Sequence, residues 1–391
     1  MAKASAPAQL TPMQIAQMNA NQSAIVRGNA LDMDLRVLNM AFSPPAGTGT
    51  PGSVINVPMR NVGLVKKITV VIRGNIKQTG TETLNLTTMG PANFLSGVTL
   101  TDLQNQQRVN TTGWHLHLLA SARSMGAFGA AYASDTPTGI GNNYNVIKAP
   151  VTVTTVQPFF MCYEIPIAYS NDDLRGAIYA NVLNATWNLS LTVNPNLFVG
   201  STADATLAMY QSSTGVLGTL QDFNIEVYQH FLDQLPTDQN GQVIVPQVDL
   251  STMYKLENTV ASGIVVGQDN SIPYANFRQF LSTMLVYQNN GLNAGTDLNN
   301  IGLRTANTSE LFRRTPQMMA LQTRKLLGDD VPRGVYYFDH RQRPIQTQNY
   351  GNMELIFNPS NVAGAQSAML VGYEYFANLS VIQTAGSIYN T

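Results

Sequence analysis

Charge is what this 391-residue sequence has least of: Asp, Glu, Lys and Arg make up 12% of it, about half of the ~25% usual in soluble domains. The signs are nearly balanced, 22 basic against 23 acidic residues, for a net charge of −1. A surface that wraps nucleic acid must neutralise many phosphates with Lys and Arg, and no basic cluster of that kind is present. The densest run, Arg333 to Arg343, is interrupted by Asp339 and three aromatics, and residues 1–26 contain a single basic residue, Lys3. Direct nucleic-acid binding is therefore not expected. Cysteine is equally scarce. Cys162 stands alone, which excludes an intrachain disulfide. Its context, Phe159-Phe-Met-Cys-Tyr-Glu-Ile-Pro166, reads as a buried strand in which the thiol is a small apolar core group. No apolar run approaches the ~18–20 residues of a membrane span. The start, Met1-Ala-Lys-Ala-Ser-Ala-Pro7, lacks the apolar stretch of an export signal. The expectation is a chain made and folded in a reducing cytoplasm, which makes the sequons Asn85-Leu-Thr87 and Asn188-Leu-Ser190 accidents of composition.

Chemical motifs are missing too. There is no Gly-X-Ser-X-Gly elbow for a hydrolytic serine and no glycine-rich phosphate loop. The four histidines are His115, His117, His230 and His340. His115 and His117 would share a face on a strand and could then ligate one metal ion. Thr112 looks like a helix cap, however, and on a helix two residues apart diverge by about 200°. Packing beside Trp114 and Leu118 is the expected role. The adjacent carboxylates Asp172-Asp173 and Asp329-Asp330 fit solvated turns or helix starts better than acid–base catalysis. Asp238-Gln-Asn-Gly241 has half of a calcium-loop pattern and lacks the distal bidentate glutamate. The residues nominate no catalytic, cofactor-binding or metal-ligating group, and no cofactor.

What is present is β-structure. With 44% hydrophobic residues the chain can bury a large core, and its length calls for two or three domains. Trp187, Leu189, Leu191 and Val193 alternate with polar neighbours, as do Phe223, Ile225 and Val227; Met353, Leu355 and Phe357; and Met369, Val371, Tyr373 and Tyr375. Period-two alternation marks strands with one face in a core and one toward solvent. Ile68–Ile72 and Val151–Val156 add β-branched runs. Helix signals are few but paired. Thr315 caps a segment with Pro316 at its first position, Met318, Met319, Leu321 and Leu326 buried, and Gly328 at its end. In the first half Thr112 caps a segment carrying Trp114, Leu118 and Ala122 that closes near Gly126. The first candidate helix follows the strand-like stretch Leu95–Leu103, the second Phe280–Tyr287. Each half then finishes on an aromatic strand, Phe223–Phe231 or Met369–Phe376. Two diverged copies of one architecture follow, joined at the turn-rich Leu235–Gly241. The long small-residue loops Gly126–Asn145 and Gly200–Gly218 read as functional insertions or subunit contacts, and their composition argues against a chemical pocket. Near the start, Thr11-Pro12 opens an uncharged helix with Met13, Ile15, Ala16, Met18 and Ala20 as its apolar residues.

Seven phrases are spread in order along the chain: Gly90-Pro-Ala-Asn-Phe94, Gly113-Trp-His-Leu-His117, Leu232-Asp-Gln-Leu-Pro236, Asp249-Leu-Ser-Thr-Met-Tyr-Lys-Leu-Glu-Asn258, Asn293-Ala-Gly-Thr-Asp297, Gly334-Val-Tyr-Tyr337 and Gly372-Tyr-Glu-Tyr-Phe376. The series resembles the major capsid protein of the tectiviruses, membrane-containing icosahedral bacteriophages, from about residue 60 to the C-terminus. The resemblance implies an all-β fold of two eight-stranded antiparallel jelly rolls with short flanking helices. The expected division is an N-terminal arm at 1–30, a first jelly roll at 31–240, a second at 241–382 and a C-terminal tail at 383–391. It implies no enzyme. The chain would self-assemble as a pseudo-hexagonal homotrimer that tiles an icosahedral shell over an internal lipid membrane. Its partners would be itself, vertex or penton proteins, and minor capsid or membrane proteins of the virion. It would reside in the virion shell, and in the host cytoplasm before assembly. The arm would either lie at the inner face near the membrane or be a frayed terminus. The competing reading is a carbohydrate-binding or glycan-hydrolysing pair of β-sandwiches, which would want exposed Trp platforms and an export signal. A minor vertex or receptor-binding protein would want a distinct C-terminal head.

Overall fold

A computed structural model of the chain describes residues 11–79, 83–87, 89–123, 145–147, 156–201, 205–213, 218–294, 296–305, 309–327, 334–349 and 352–377. Two sets of eight principal strands dominate it. The first comprises β1 (Leu31–Phe42), β2 (Val54–Pro58), β3 (Leu64–Gln78), β4 (Leu95–Thr101), β5 (Gln107–Thr111), β6 (Val156–Pro166), β7 (Asn188–Val193) and β8 (Gly218–Asp233). The second comprises β9 (Met253–Ala261), β10 (Asn270–Pro273), β11 (Gln279–Asn289), β12 (Leu298–Thr305), β13 (Ser309–Arg314), β14 (Val335–Asp339), β15 (Met353–Pro359) and β16 (Ala368–Ala377).

The hydrogen-bonded order in the first set is β1-β8-β3-β6 in one sheet and β2-β7-β4-β5 in the other. In the second set it is β9-β16-β11-β14 and β10-β15-β12-β13. Counted from the first strand of each set, the two orders are the same, 1-8-3-6 and 2-7-4-5. This is a jelly roll made twice. Helix α2 (Gly113–Arg123) follows the fifth strand of the first barrel, the short α3 (Gln247–Ser251) precedes the second barrel, and α4 (Pro316–Leu327) follows the fifth strand of the second. Phe280–Tyr287, expected just before the second helix, instead forms the third strand of its barrel, two strands further back.

Alternation explains most of the strands. On β7, Leu189, Leu191 and Val193 are wholly buried while Asn188, Ser190 and Thr192 are half-exposed. β8 behaves likewise through Phe223, Ile225 and Val227. The aromatic strand β16 departs from the expected pattern, because every one of its residues is buried, and so is every residue of β11. The reason is tertiary. Met369, Val371, Tyr373 and Tyr375 face the second barrel's own core, whereas Leu370 and Phe376 join the core of the first. The two barrels also share a sheet: β5 runs parallel to β9, with Leu256 opposite Val109 and Glu257 opposite Asn110.

The N-terminal segment forms α1 (Pro12–Asn29), closed by a capping box in which Thr11 and Gln14 satisfy each other's backbone amides. Ala16, Asn19, Ser23 and Val26 are its buried residues, spaced at helical intervals. Among the described residues no helix is long and apolar enough to cross a membrane. The stretch Val151–Thr155, Gly328 and Asp329-Asp330, most of the Gly126–Asn145 loop and the tail 383–391 lie outside the described residues.

Candidate assembly surfaces

The joint between the barrels is built on α2. Of its residues, Gly113 to Leu119, Ser121 and Ala122 are buried. Trp114, Leu116, Leu118 and Leu119 belong to the same hydrophobic cluster as Tyr254, Leu281, Met284 and Leu370 from the outer face of the second barrel. Each such side chain contributes ~1.5–3 kcal/mol when fully buried. One backbone makes the close approach possible. A Cβ on Gly372 of β16 would stand 2.4 Å from Cδ2 and 2.6 Å from Cγ and Nε2 of His115, so the imidazole occupies the notch that the absent side chain leaves.

A polar cluster finishes the joint. Glu374 is fully buried and accepts hydrogen bonds from Arg123 Nη2 at 2.5 Å, Tyr254 Oη at 2.9 Å and Ser282 Oγ at 2.6 Å. Burial alone pushes its carboxyl up, but Arg123 with the Ser282 and Tyr254 hydrogen bonds outweighs that and holds it below the usual carboxylate range. Arg123 is correspondingly held protonated, burial opposing and Tyr254 and Glu374 favouring the charge. The guanidinium also lies over the rings of Tyr169 and Tyr254. Removing one partner would strand a buried charge, so the pair fixes how α2 sits on β16.

His115 serves the same joint, and His117 is buried on the same helix. His115 Nδ1 and Thr111 Oγ1 share a hydrogen bond of 2.7 Å. Burial pushes His115 down to about 4, with Glu374 pulling the other way, and burial alone brings His117 to about 4. Both rings are neutral at pH 7. Trp114 and Trp187 are 2% and 3% exposed, and neither offers an aromatic face to a glycan.

Other residues singled out from the sequence lie apart. Cys162 is not in the core: Phe159, Met161, Tyr163 and Ile165 take the inward face of β6, so period two turns Cys162 outward, half-buried beside Val71. Burial, with Glu164 adding to it and Lys67 opposing, pushes its thiol up to about 12. Asp172 and Asp173 sit in a turn whose amides donate to Ser170 Oγ, and Asp173 pairs with Arg175. Asp238 Oδ1 accepts from the amides of Asn240 and Gln242 at 2.8 and 2.9 Å, closing a tight turn.

The counterpart of α2 is open. On α4, Met319 and Thr323 are buried, but Met318, Leu321 and Leu326 are 45%, 47% and 45% exposed, against the burial expected for all three. Leu311 on β13 is 48% exposed as well. The helical period was sound, but the stripe it marks is wider than the single face that the barrel covers. Among the described residues nothing covers the outer face of the β1-β8-β3-β6 sheet either. It carries Asp34, Arg36, Lys67, Thr69, Arg73, Glu164, Glu226, Tyr228 and His230, tied into ladders such as Lys67–Glu164 at 2.8 Å and Thr69–His230 at 2.8 Å. The candidate caps at Thr112 and Thr315 did not separate the covered helix from the uncovered one, but polarity differs, since α4 carries Gln317, Gln322, Arg324 and Lys325 where α2 has only Arg123 as a charged residue.

A third surface is α1. Asn19 locks it in place, donating to Asp249 Oδ1 at 2.8 Å and accepting from the amides of Val248 and Asp249 at 3.1 and 3.4 Å. Arg27 donates to the Asp172 carbonyl at 2.6 Å, and Val26 enters a small core with Leu64, Leu174 and Leu232. Far from being frayed, the helix is docked. Its opposite side leaves Met13, Ile15, Met18 and Ile25 between 36% and 77% exposed.

Against known proteins, residues 5–235 match the family model described as P3 major capsid protein N-terminal, and residues 251–390 match P3 major capsid protein C-terminal. The chain is 38% identical over 400 residues to Major capsid protein P3 of Enterobacteria phage PRD1, covering 98% of this chain and 99% of that one. Among solved structures, a chain of Sulfolobus Turreted Icosahedral Virus superimposes with a TM-score of 0.63 at 12% identity, covering 90% of this chain and 93% of the other. A chain of the PBCV-1 virus capsid gives a TM-score of 0.52 at 12% identity, covering 90% and 95%. These two likenesses concern the fold.

Proposed function

The chain belongs to the P3 major capsid protein family, and we propose that it builds its shell as a homotrimer of nearly hexagonal outline. It is a structural protein and not an enzyme, it assembles with itself, and it resides in the virion capsid. The trimer is the finer reading. The observation that carries it is the identical strand order of the two barrels in one chain. Three such chains around a threefold axis present six similar barrels, and six-sided pieces tile a large icosahedral face.

The division into an arm at 1–30, barrels at 31–240 and 241–382, and a tail at 383–391 goes with this reading. It is supported by the end of α1 at Asn29, the end of β8 at Asp233 and the start of β9 at Met253. An internal membrane beneath the shell is supported by the exposed, uncharged side of α1, which would graze lipid through Met13, Ile15 and Met18. Vertex, minor capsid and membrane proteins of the virion complete the partners, and the genome is not touched directly, in keeping with a net charge of −1.

The test is the native mass across a wide dilution range. Three copies of 42.5 kDa should persist as one species of about 128 kDa on dilution to nanomolar concentration, as a large obligate interface requires. A stable monomer would remove the trimer reading.

A further inference from the structure

We infer that the cleft between the two barrels, beside the docked end of α1, is a binding site for a phosphate group, free or carried on a lipid headgroup. The site is built within one chain and does not depend on the trimer.

The cleft has a volume of about 330 Å³, and its walls come from both barrels. Lys66 and Lys67 stand near the start of β3, and Tyr169 and Ser170 in the turn after β6. Arg123 ends α2, and Arg341 lies just beyond β14. Four of the lining side chains are therefore cations, and one, Glu164, is a carboxylate. The carboxylates that pair with Lys66, Arg123 and Arg341 are Asp32, Glu374 and Asp339. None of those three lines the cleft. A cleft walled by charge of one sign focuses its field on any counter-ion that enters.

The cations are gathered and held. The guanidiniums of Arg123 and Arg175 each lie 5.6 Å from the centre of the Tyr169 ring. Burial and Glu374 push the Tyr169 hydroxyl up, while Arg341, Arg123 and Arg175 pull it down, so three guanidiniums act on one phenol. The Lys66 side chain is only 7% exposed, and those of Arg123 and Arg341 are 24% exposed. Groups fixed in a wall before a ligand arrives lose little rotamer freedom on binding it.

The unused polar capacity of the wall is donor capacity. Among the described residues the Arg123 guanidinium donates only through Nη2, and that of Arg341 only through Nε and Nη2. Nε and Nη1 of Arg123 and Nη1 of Arg341 are left for a ligand. Each lysine ammonium gives a single hydrogen bond, Lys66 to Asp32 and Lys67 to Glu164, and has further protons to give. Ser170 Oγ accepts from the amides of Asp172 and Asp173, which leaves its own proton to donate. Glu164, the acceptor in the wall, is already engaged by Lys67. A ligand that satisfies these groups must accept at several atoms at once and carry negative charge. A phosphate does both, and planar guanidinium edges match its oxygens.

Position supplies the two sources. Asn171 of the wall precedes Asp172, whose carbonyl accepts from Arg27 of α1 at 2.6 Å. The cleft thus lies at the end of the barrels where α1 docks. Met13, Ile15 and Met18 are exposed on that same helix, and a phospholipid offers both a phosphate and an apolar surface.

The experiment is isothermal titration of the purified protein with inorganic phosphate at constant ionic strength. The expected result is a single saturable site per chain. Arg341→Gln and Lys67→Gln should each weaken it about tenfold or more, as loss of a charge-assisted donor requires. Lys77→Gln, which removes the same charge at the far end of β3, should bind as the wild type does, and the circular dichroism of all three should be unchanged. Flotation with vesicles of phosphatidylglycerol, set against vesicles of phosphatidylcholine, separates the sources. Capture by phosphatidylglycerol that phosphate competes away and Arg341→Gln weakens assigns the site to a lipid headgroup. Vesicle capture that is absent, or indifferent to both, assigns it to free phosphate. A wild-type protein with no saturable phosphate binding, or an equal loss in Lys77→Gln and Arg341→Gln, would overturn the site.

Discussion

Replacing Gly372 by Ala sets two effects of opposite sign against each other at one atom. Gly372 has no positive φ, so alanine suits its backbone, and exchanging an interior strand glycine for alanine ordinarily gains ~0.5–1 kcal/mol. Against that, the new methyl would stand 2.4 Å from His115 Cδ2 where ordinary contact begins at 3.4 Å, so something must yield by roughly 1 Å in an interior packed like a crystal. His115 cannot swing away: it is wholly buried and tied to Thr111. β16 cannot retreat, being paired to β9 on one side and β11 on the other. Overpacking of this kind costs ~1–3 kcal/mol, so Gly372→Ala should be net destabilising by about 1–2 kcal/mol. The assay is urea unfolding at fixed protein concentration, since association couples to stability. A double-mutant cycle with His115→Ala should show the two changes to be strongly non-additive, the methyl costing little once the ring is gone. If Gly372→Ala is as stable as the wild type or more so, α2 does not seat on β16 as described.

Asn19→Ala should undock α1 without unfolding the barrels, because it removes three hydrogen bonds and leaves Asp249 buried with less support; limited proteolysis should cut within 12–29 several times faster while near-ultraviolet circular dichroism is retained. Acid should weaken the packing of α2 from about pH 6.5 downward. The folded values of His115 and His117 lie near 4, below the ordinary 6.5, so the unfolded chain binds more protons in that window and stability is lost as pH falls through it, on the order of 3 kcal/mol per ring by pH 4. Unfolding measured at pH 7, 5.5 and 4 checks this, and His117→Asn should flatten the slope.

The strands were legible because most of them obey a local rule. Leu189, Leu191 and Val193, or Phe223, Ile225 and Val227, alternate in sequence and alternate in burial, since each has one core face. The residues of the joint broke that rule for a reason outside any local window. β16 and β11 are buried on both faces because a second barrel lies behind them, and sequence periodicity cannot tell a solvent face from a partner face. Cys162 illustrates the converse. Its aromatic neighbours suggested burial, whereas its parity on β6 turned it outward. The caps at Thr112 and Thr315 located both helices but not their different fates, because what covers α2 comes from residues 253–377, far along the chain. The Gly372 notch would have needed knowledge of its partner, His115.

Duplication alone would make the outer faces of the two barrels chemically alike, and they are not. Within the chain, the face that receives the helix carries Tyr254, Leu370, Gly372 and Phe376. The corresponding face of the first barrel carries Asp34, Arg36, Lys67, Glu164, Tyr228 and His230. The difference follows from connectivity. The connection over residues 234–252 keeps the two barrels of one chain at high effective concentration, so their contact is never exposed and can be apolar and close. A contact between chains must first exist as two free surfaces, and a contiguous apolar face of that size would associate indiscriminately. A charged sheet on the unassembled chain avoids that fate. The same pressure explains why the halves share strand order but little sequence: each position answers to the same geometry but to a different solvent history. Changing Tyr228 and its neighbours toward the residues of β16 would therefore open, in the unassembled chain, an apolar patch for misassembly.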